Sequence, residues 1–197
     1  MTRRIAIVVT TDDNIVDFHQ CLAYLACTKI DDQRLIDRDD AMVWVIADKG
    51  SESDSHIQCM DHHGFAIKYH SAPKHLGEEA LLAYAANMYL AVLDYEWVIL
   101  LRDTDVLSEH AIELMQAFIS VYNEDNITAL LVQKGTRSDI RAIPSWFWKR
   151  FGKEVNTEQS FDKGMTTAIE ENGLLGAHFD ENYSPGMQLT QEVERWD

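Results

Sequence analysis

Apolar and polar positions alternate along the first two thirds of this chain with two different periods. Ile5 to Val9 is a short β-branched run, and polar Thr10, Thr11 and Asp12 end it. Ile15, Phe18, Leu22 and Leu25 then recur three or four residues apart. That spacing predicts an amphipathic helix, opened by Asp12 or Asp13 as N-cap. After the charged stretch Asp31 to Asp40, Met42 to Ala47 reads as a second strand, and Phe65 to Tyr69 as a third, weaker one. Gly77 to Leu93 is apolar nearly all round, which predicts a buried helix. Trp97 to Leu101 is a fourth strand, Ser108 can cap a helix running to about Tyr122, and Ile127 to Val132 is a fifth strand. This alternation predicts an α/β fold, a mostly parallel sheet with helices on both faces. Beyond Gln133 the pattern is irregular and aromatic-rich. We therefore expect one compact domain over residues 1–197, with an operational half-boundary near residue 126.

Composition narrows the function classes. The 197 residues suffice for one stable core. A formal net charge of −16 argues against electrostatically driven binding to nucleic acid or to anionic lipid. Cys21, Cys27 and Cys59 are odd in number and lack C-x-x-C spacing, as expected of free thiols in a reducing compartment. The apolar run after Arg4 is too short for a signal-peptide core. The uncharged stretch from Ala80 to Leu93 falls short of the roughly 20 residues that span a bilayer. A cytoplasmic protein without membrane insertion is the expectation.

The chemistry concentrates after the fourth strand, at Asp103-Thr104-Asp105. Side chains alternate along a strand, so carboxylates at i and i+2 share one side. At the carboxyl end of a central strand, such a pair can hold a hard divalent ion against a diphosphate, with phosphate oxygens and water completing the shell. The second strand ends similarly, in Asp48-Lys49-Gly50-Ser51-Glu52-Ser53-Asp54. A carboxylate and a glycine-serine turn at a sheet edge can grip a nucleotide; a polar turn with Asp54 capping is the other reading. Asn87, in an otherwise apolar helix, must satisfy its amide through a backbone loop or a ligand.

In order and spacing, residues 5–107 resemble the family 2-like glycosyltransferases of the GT-A fold. Val9 to Asp13 occupies the place of that family's Pro-Thr-Tyr-Asn-type loop, and Cys21-Leu22 falls where its next helix often carries Cys-Leu. Asp48 to Asp54 looks like its Asp-Asp-Gly-Ser-Thr-Asp turn. Asn87 matches the asparagine of its Ala-Arg-Asn helix, with Ala86 in place of the arginine, and Trp97 to Val106 looks like its strand and D-x-D motif. The resemblance implies a GT-A-type Rossmann-like sheet and a nucleotide-diphosphate sugar as donor, UDP- or GDP-linked. It implies Mn²⁺ or Mg²⁺ at Asp103 and Asp105, with His178 as a further candidate ligand. Thr11, Asp13, Asp48, Asn87 and Asp103 would then line the donor. Phe161-Asp162, eleven residues ahead of Gly173, matches the family's acidic pair with the glutamate replaced. Asp162 would be the base of an inverting transfer, or else only a helix N-cap.

Several other residues invite a role. Trp146, Phe147 and Trp148 suit either a stacking platform or the core. Asp61-His62-His63 reads as a solvated turn without a third ligand at matching spacing. Gln191, Arg195 and Trp196 miss the Gln-x-x-Arg-Trp spacing of processive synthases by one residue. The acceptor could be a saccharide, a protein, a small molecule or a modified nucleic-acid base. Two rivals stand beside the transferase: a non-catalytic nucleotide-sugar-binding module, and a phosphatase of the haloacid-dehalogenase type with Asp103 as nucleophile.

Overall fold

A computed structural model describes residues 5–180 apart from 13, 31, 38–42, 51–52, 67, 106–110, 122–127, 135–138, 157 and 159. The chain runs through β1 (Ile5–Thr11), α1 (Ile15–Cys27), β2 (Val43–Ala47), α2 (Ser53–His62), β3 (Tyr69–Ser71) and α3 (Glu78–Ala86). A π-helical turn, Asn87–Val92, continues α3. There follow β4 (Trp97–Arg102), α4 (Ala111–Val121), β5 (Thr128–Lys134), β6 (Asp139–Pro144), α5 (Ser145–Phe151), α6 (Phe161–Glu171) and β7 (Leu175–Asp180). Between α1 and β2, Lys29–Ile30 and Gln33–Arg34 pair as a small separate ribbon.

The main sheet has the order β3-β2-β1-β4-β6-β5-β7. β1 lies parallel to β2 (Thr11 opposite Ala47) and to β4 (Thr10 opposite Arg102). β6 alone runs against its neighbours, pairing antiparallel with β4 and β5, while β5 and β7 are parallel. The expected α/β class and mostly parallel sheet are thus present.

The period of two in the strands divides the core into two layers. Ile7, Val9, Val43, Val45, Ile99 and Leu101 face one side and bury the apolar stripes of α1, α2 and α4. Ala6, Val8, Ile46, Val98 and Leu100 face the other, against α3, α5 and α6. Central strands covered on both faces must be apolar at every position, which is why β1, β2 and β4 were legible as continuous runs.

Several expectations need correction. The α1 N-cap is Asn14, whose side chain accepts from the Asp17 amide; Asp12 instead accepts from the Asn14 amide. The third strand begins only at Tyr69, because Phe65 turns into the core at the end of α2. The long helix expected from Gly77 changes to a π-helical turn at Asn87, and Asn87 is exposed rather than buried. Small and β-branched residues on its outer face (Ala91, Val92) had made the segment look apolar all round. Beyond Gln133, the described residues form regular elements: the end of β5, then β6, α5, α6 and β7. Strand β6 escaped notice because Arg141 interrupts the apolar run, yet Arg141 is itself buried. In α6, a side chain at Gly164 would collide with the Asn156 backbone, so only glycine lets that segment pass so close. Ser108 lies outside the described residues.

Candidate functional site

Sheet hydrogen bonding continues past the carboxyl ends of three adjacent strands. The Asp103 amide donates to the Thr10 carbonyl (2.9 Å), the Asp48 amide to Thr11 (2.9 Å), and the Ala72 amide to Ala47 (2.8 Å). The first residues after β4 and β2 are therefore as firmly placed as the strands. They flank the end of β1, where strand order reverses and where ligands of open α/β sheets bind.

At this edge Thr11 Oγ1 donates to Asp103 Oδ2 at 2.5 Å, and His56 Nε2 of α2 stands 3.4 Å from the same hydroxyl. Asp105 folds back so that its Oδ2 accepts from the Arg102 amide at 2.7 Å. Asp103 and Asp105 are each 6% exposed. Burial pushes Asp103 up to about 7, aided by the charge of Asp12 and opposed by the Thr11 hydrogen bond. Burial likewise pushes Asp105 up to about 6, opposed chiefly by Arg141 and the Arg102 amide. Two carboxyls are thus held out of water with too little positive charge beside them. That donor set fits a hard divalent cation, whose charge would favour the ionised forms of both.

Arg141 forms an ion pair at this edge. It is 2% exposed, and its Nη1 lies 3.6 Å from Asp105 Oδ2. Its Nε and Nη2 engage both oxygens of Asp162, the Nη2 bond measuring 2.6 Å. Asp162 sits in the first turn of α6, but Ser160 is the N-cap, accepting from the Lys163 amide. The capping alternative for Asp162 is therefore set aside. Its side chain is 40% exposed, so one side of the carboxylate meets solvent. A second link runs beside this one. Arg102 pairs with Glu78 (3.0 Å) and Glu79 (2.9 Å), and Glu79 also accepts from the Phe161 amide. Phe161 itself is buried against Trp148.

Asp48 is differently employed. Its oxygens accept from the amides of Lys49, Leu76 and Gly77, each at 2.8 Å, and from His75 Nδ1 at 2.9 Å. Burial pushes this carboxyl up, but the three amides and His75 outweigh it and hold it below the ordinary range. Asp48 thereby latches the 73–77 loop, where Gly77 takes a positive φ of 76° to open α3.

Thr11, Asp103, Asp105 and Asp162 thus gather around one edge, with Asp48 alongside. Asn87 lies about ten helical residues beyond Gly77, roughly 15 Å along the helix and away from the edge. Asp13 lies outside the described residues. For His178 the backbone alone is described, paired with Val132 near the end of β7. Phe147 and Trp148 are core residues of α5 rather than a stacking platform. Sequence reading missed Arg141, Glu79 and His56. An arginine flanked by Ile140, Ala142 and Ile143 was a usable signal, since a buried guanidinium demands carboxylate partners.

No protein-family model matches this sequence, and no curated protein matches it. Solved structures do. CMP:2-keto-3-deoxy-manno-octonic acid synthetase, solved with CTP, aligns with a TM-score of 0.59 at 10% identity, over 90% of this chain and 89% of that one. A protein of Desulfovibrio desulfuricans described as a nucleotide-diphospho-sugar transferase gives 0.56 at 10%, over 91% and 80%. TarS 1–349 of S. aureus, also solved with UDP, gives 0.52 at 13% identity, over 83% of this chain but only 55% of TarS 1–349. Identities this low show the fold alone, and it is one that this chain shares with these transferase and synthetase structures. No helix among the described residues is long and apolar enough to cross a membrane.

Proposed function

We propose that this chain transfers a sugar from a nucleoside-diphosphate donor, UDP- or GDP-linked, to an acceptor hydroxyl, with Mn²⁺ or Mg²⁺ bound at Asp103 and Asp105. The observation carrying this reading is the pair of buried carboxyls at the end of β4, at the switch point of the sheet. Thr11 orients Asp103 through its 2.5 Å hydrogen bond. Bound there, the ion would neutralise charge developing on the departing nucleoside diphosphate. The edge loops around Thr11 and Asp48, with Asp13, would receive the nucleoside.

Asp162 is the proposed base for the acceptor hydroxyl. Its two bonds from Arg141 occupy about half of a carboxylate's four lone-pair sites, leaving the outer ones for an acceptor proton. Attack from that side opposite the leaving diphosphate would invert the anomeric carbon. A second reading, a nucleotide-sugar-binding module without turnover, is favoured by Phe161, a buried core residue where the resembled family has a glutamate.

Two variants test these roles. In the wild type, UDP or GDP with Mn²⁺ at about 100 times its dissociation constant should add roughly 2.7 kcal/mol of stability. Thermal shift should show this gain lost in chelator and lost in Asp105→Asn. Equal gains with and without metal would remove the ion site. Asp162→Asn should keep the nucleotide gain while slowing transfer, or hydrolysis of the donor by water, about 10²- to 10⁴-fold. Donor binding with no turnover in the wild type would establish the module instead.

A further inference from the structure

A second cluster of ligating side chains lies between α1 and α2, apart from the carboxylate edge. His19 lies on α1, Cys59 lies in the last turns of α2, and His63 follows directly after α2. One ligand atom from each falls within 4.8 Å of the other two. His19 Nδ1 is 3.2 Å from Cys59 Sγ, and the His19 and His63 rings are 4.5 Å apart between centroids. The spacing Cys59-x-x-x-His63 puts both residues on one helical face. Only the packing of α1 against α2 brings in His19, forty positions before Cys59, so local spacing shows no third ligand.

The hydrogen bonding of His63 suits metal binding. His63 Nε2 is buried and has no hydrogen-bond partner among the described residues. The same ring is hydrogen-bonded to the His19 backbone, which leaves Nδ1 as the nitrogen engaged and Nε2 as the free lone pair. A metal-bound histidine characteristically has this arrangement, one nitrogen on a backbone carbonyl and the other on the ion.

We propose that His19, Cys59 and His63 form a site for a borderline-soft divalent ion of the Zn²⁺ class, which clips α1 to α2. Ligand bonds of about 2.0–2.3 Å in a tetrahedral shell set ligand atoms roughly 3.3–3.6 Å apart. The His19–Cys59 separation is already near that value, and exposed His19 can swing to close the rest. Cys59 would bind as thiolate, its proton passing to solvent. Exposed His62 lies beside the three, its ring 5.6 Å from that of His19 and 5.2 Å from that of His63, and water or His62 would complete the shell. Thiolate and imidazole disfavour Mg²⁺ and Mn²⁺, so the two sites select different ions. The clip would also steady the donor edge. One turn before Cys59, His56 packs edge-on against Phe18 of α1 and reaches Thr11.

Co²⁺ reports such a site, because thiolate-to-cobalt charge transfer absorbs where a carboxylate site does not. Metal-free wild type titrated with Co²⁺ should take up one equivalent with that absorption, and Zn²⁺ should displace it. Cys59→Ser should lose the band, and His19→Ala, a change at an exposed position, should weaken binding at least about tenfold. Asp105→Asn should bind Co²⁺ here as the wild type does. Absence of the band in the wild type, its persistence in Cys59→Ser, or unchanged affinity in His19→Ala would each overturn the proposal.

Discussion

Asp48 and the Asp103–Asp105 pair occupy matching places and behave oppositely. Each follows a parallel strand at the same sheet edge, and all are buried, Asp48 at 3% exposure and the others at 6%. Asp48 is satisfied by the protein itself, with three amides and a histidine on its two oxygens, and is held low. Asp103 and Asp105 receive fewer donors, and burial pushes them up to about 7 and about 6. Burial alone therefore does not mark a functional carboxylate. The mark is a carboxylate buried without enough donors, because its desolvation remains to be offset by something that binds.

The contrast can be broken at Arg141, where the largest effect is expected. Arg141→Leu leaves Asp105 and Asp162 without their shared cation, and removing one partner of a buried pair costs about 3–5 kcal/mol. Urea denaturation near neutral pH should show that loss, and adding Asp105→Asn should recover part of it. A loss below about 1 kcal/mol would mean that Arg141 is not what balances Asp105.

Next in size is the latch. Asp48→Ala orphans the Leu76 and Gly77 amides, at about 1–3 kcal/mol. If Asp48 is satisfied internally, the loss should be the same with and without Mn²⁺. A loss that grows with Mn²⁺ and nucleotide would place Asp48 among the ligand contacts and dissolve the contrast.

The third test reads a pH profile. Asp103 and Asp105 titrate in the folded chain above the ordinary unfolded value near 4. Between about pH 4 and 7 the folded state therefore holds more protons, and the contribution of this pair falls as pH rises, levelling above 7. Each carboxyl adds at most about 1.4 kcal/mol per pH unit. Asp48, being lowered, contributes the opposite way, losing stability only as pH falls below about 4. The wild-type minus Asp103→Asn difference in denaturation free energy should thus decline from pH 5 to 7. A rising difference would reverse the assignment for Asp103.

Alternation and helical spacing are properties of neighbouring residues, so the chain by itself determined β1, β2, β4, α1 and the position of Asp103 and Asp105 at a strand end. Asn14 was hidden beside two better-looking caps. The order of the strands was beyond local pattern, and it decided the chemistry. Because β6 lies antiparallel against β4, Arg141 comes within 3.6 Å of Asp105, thirty-six positions earlier, and meets Asp162 on a helix that follows. The loop that closes on Asp48 and the helix packing that joins His19 to Cys59 are likewise long-range. Whether a buried carboxylate or imidazole is satisfied depends on donors from other elements, and periodicity carries no information about which elements will touch.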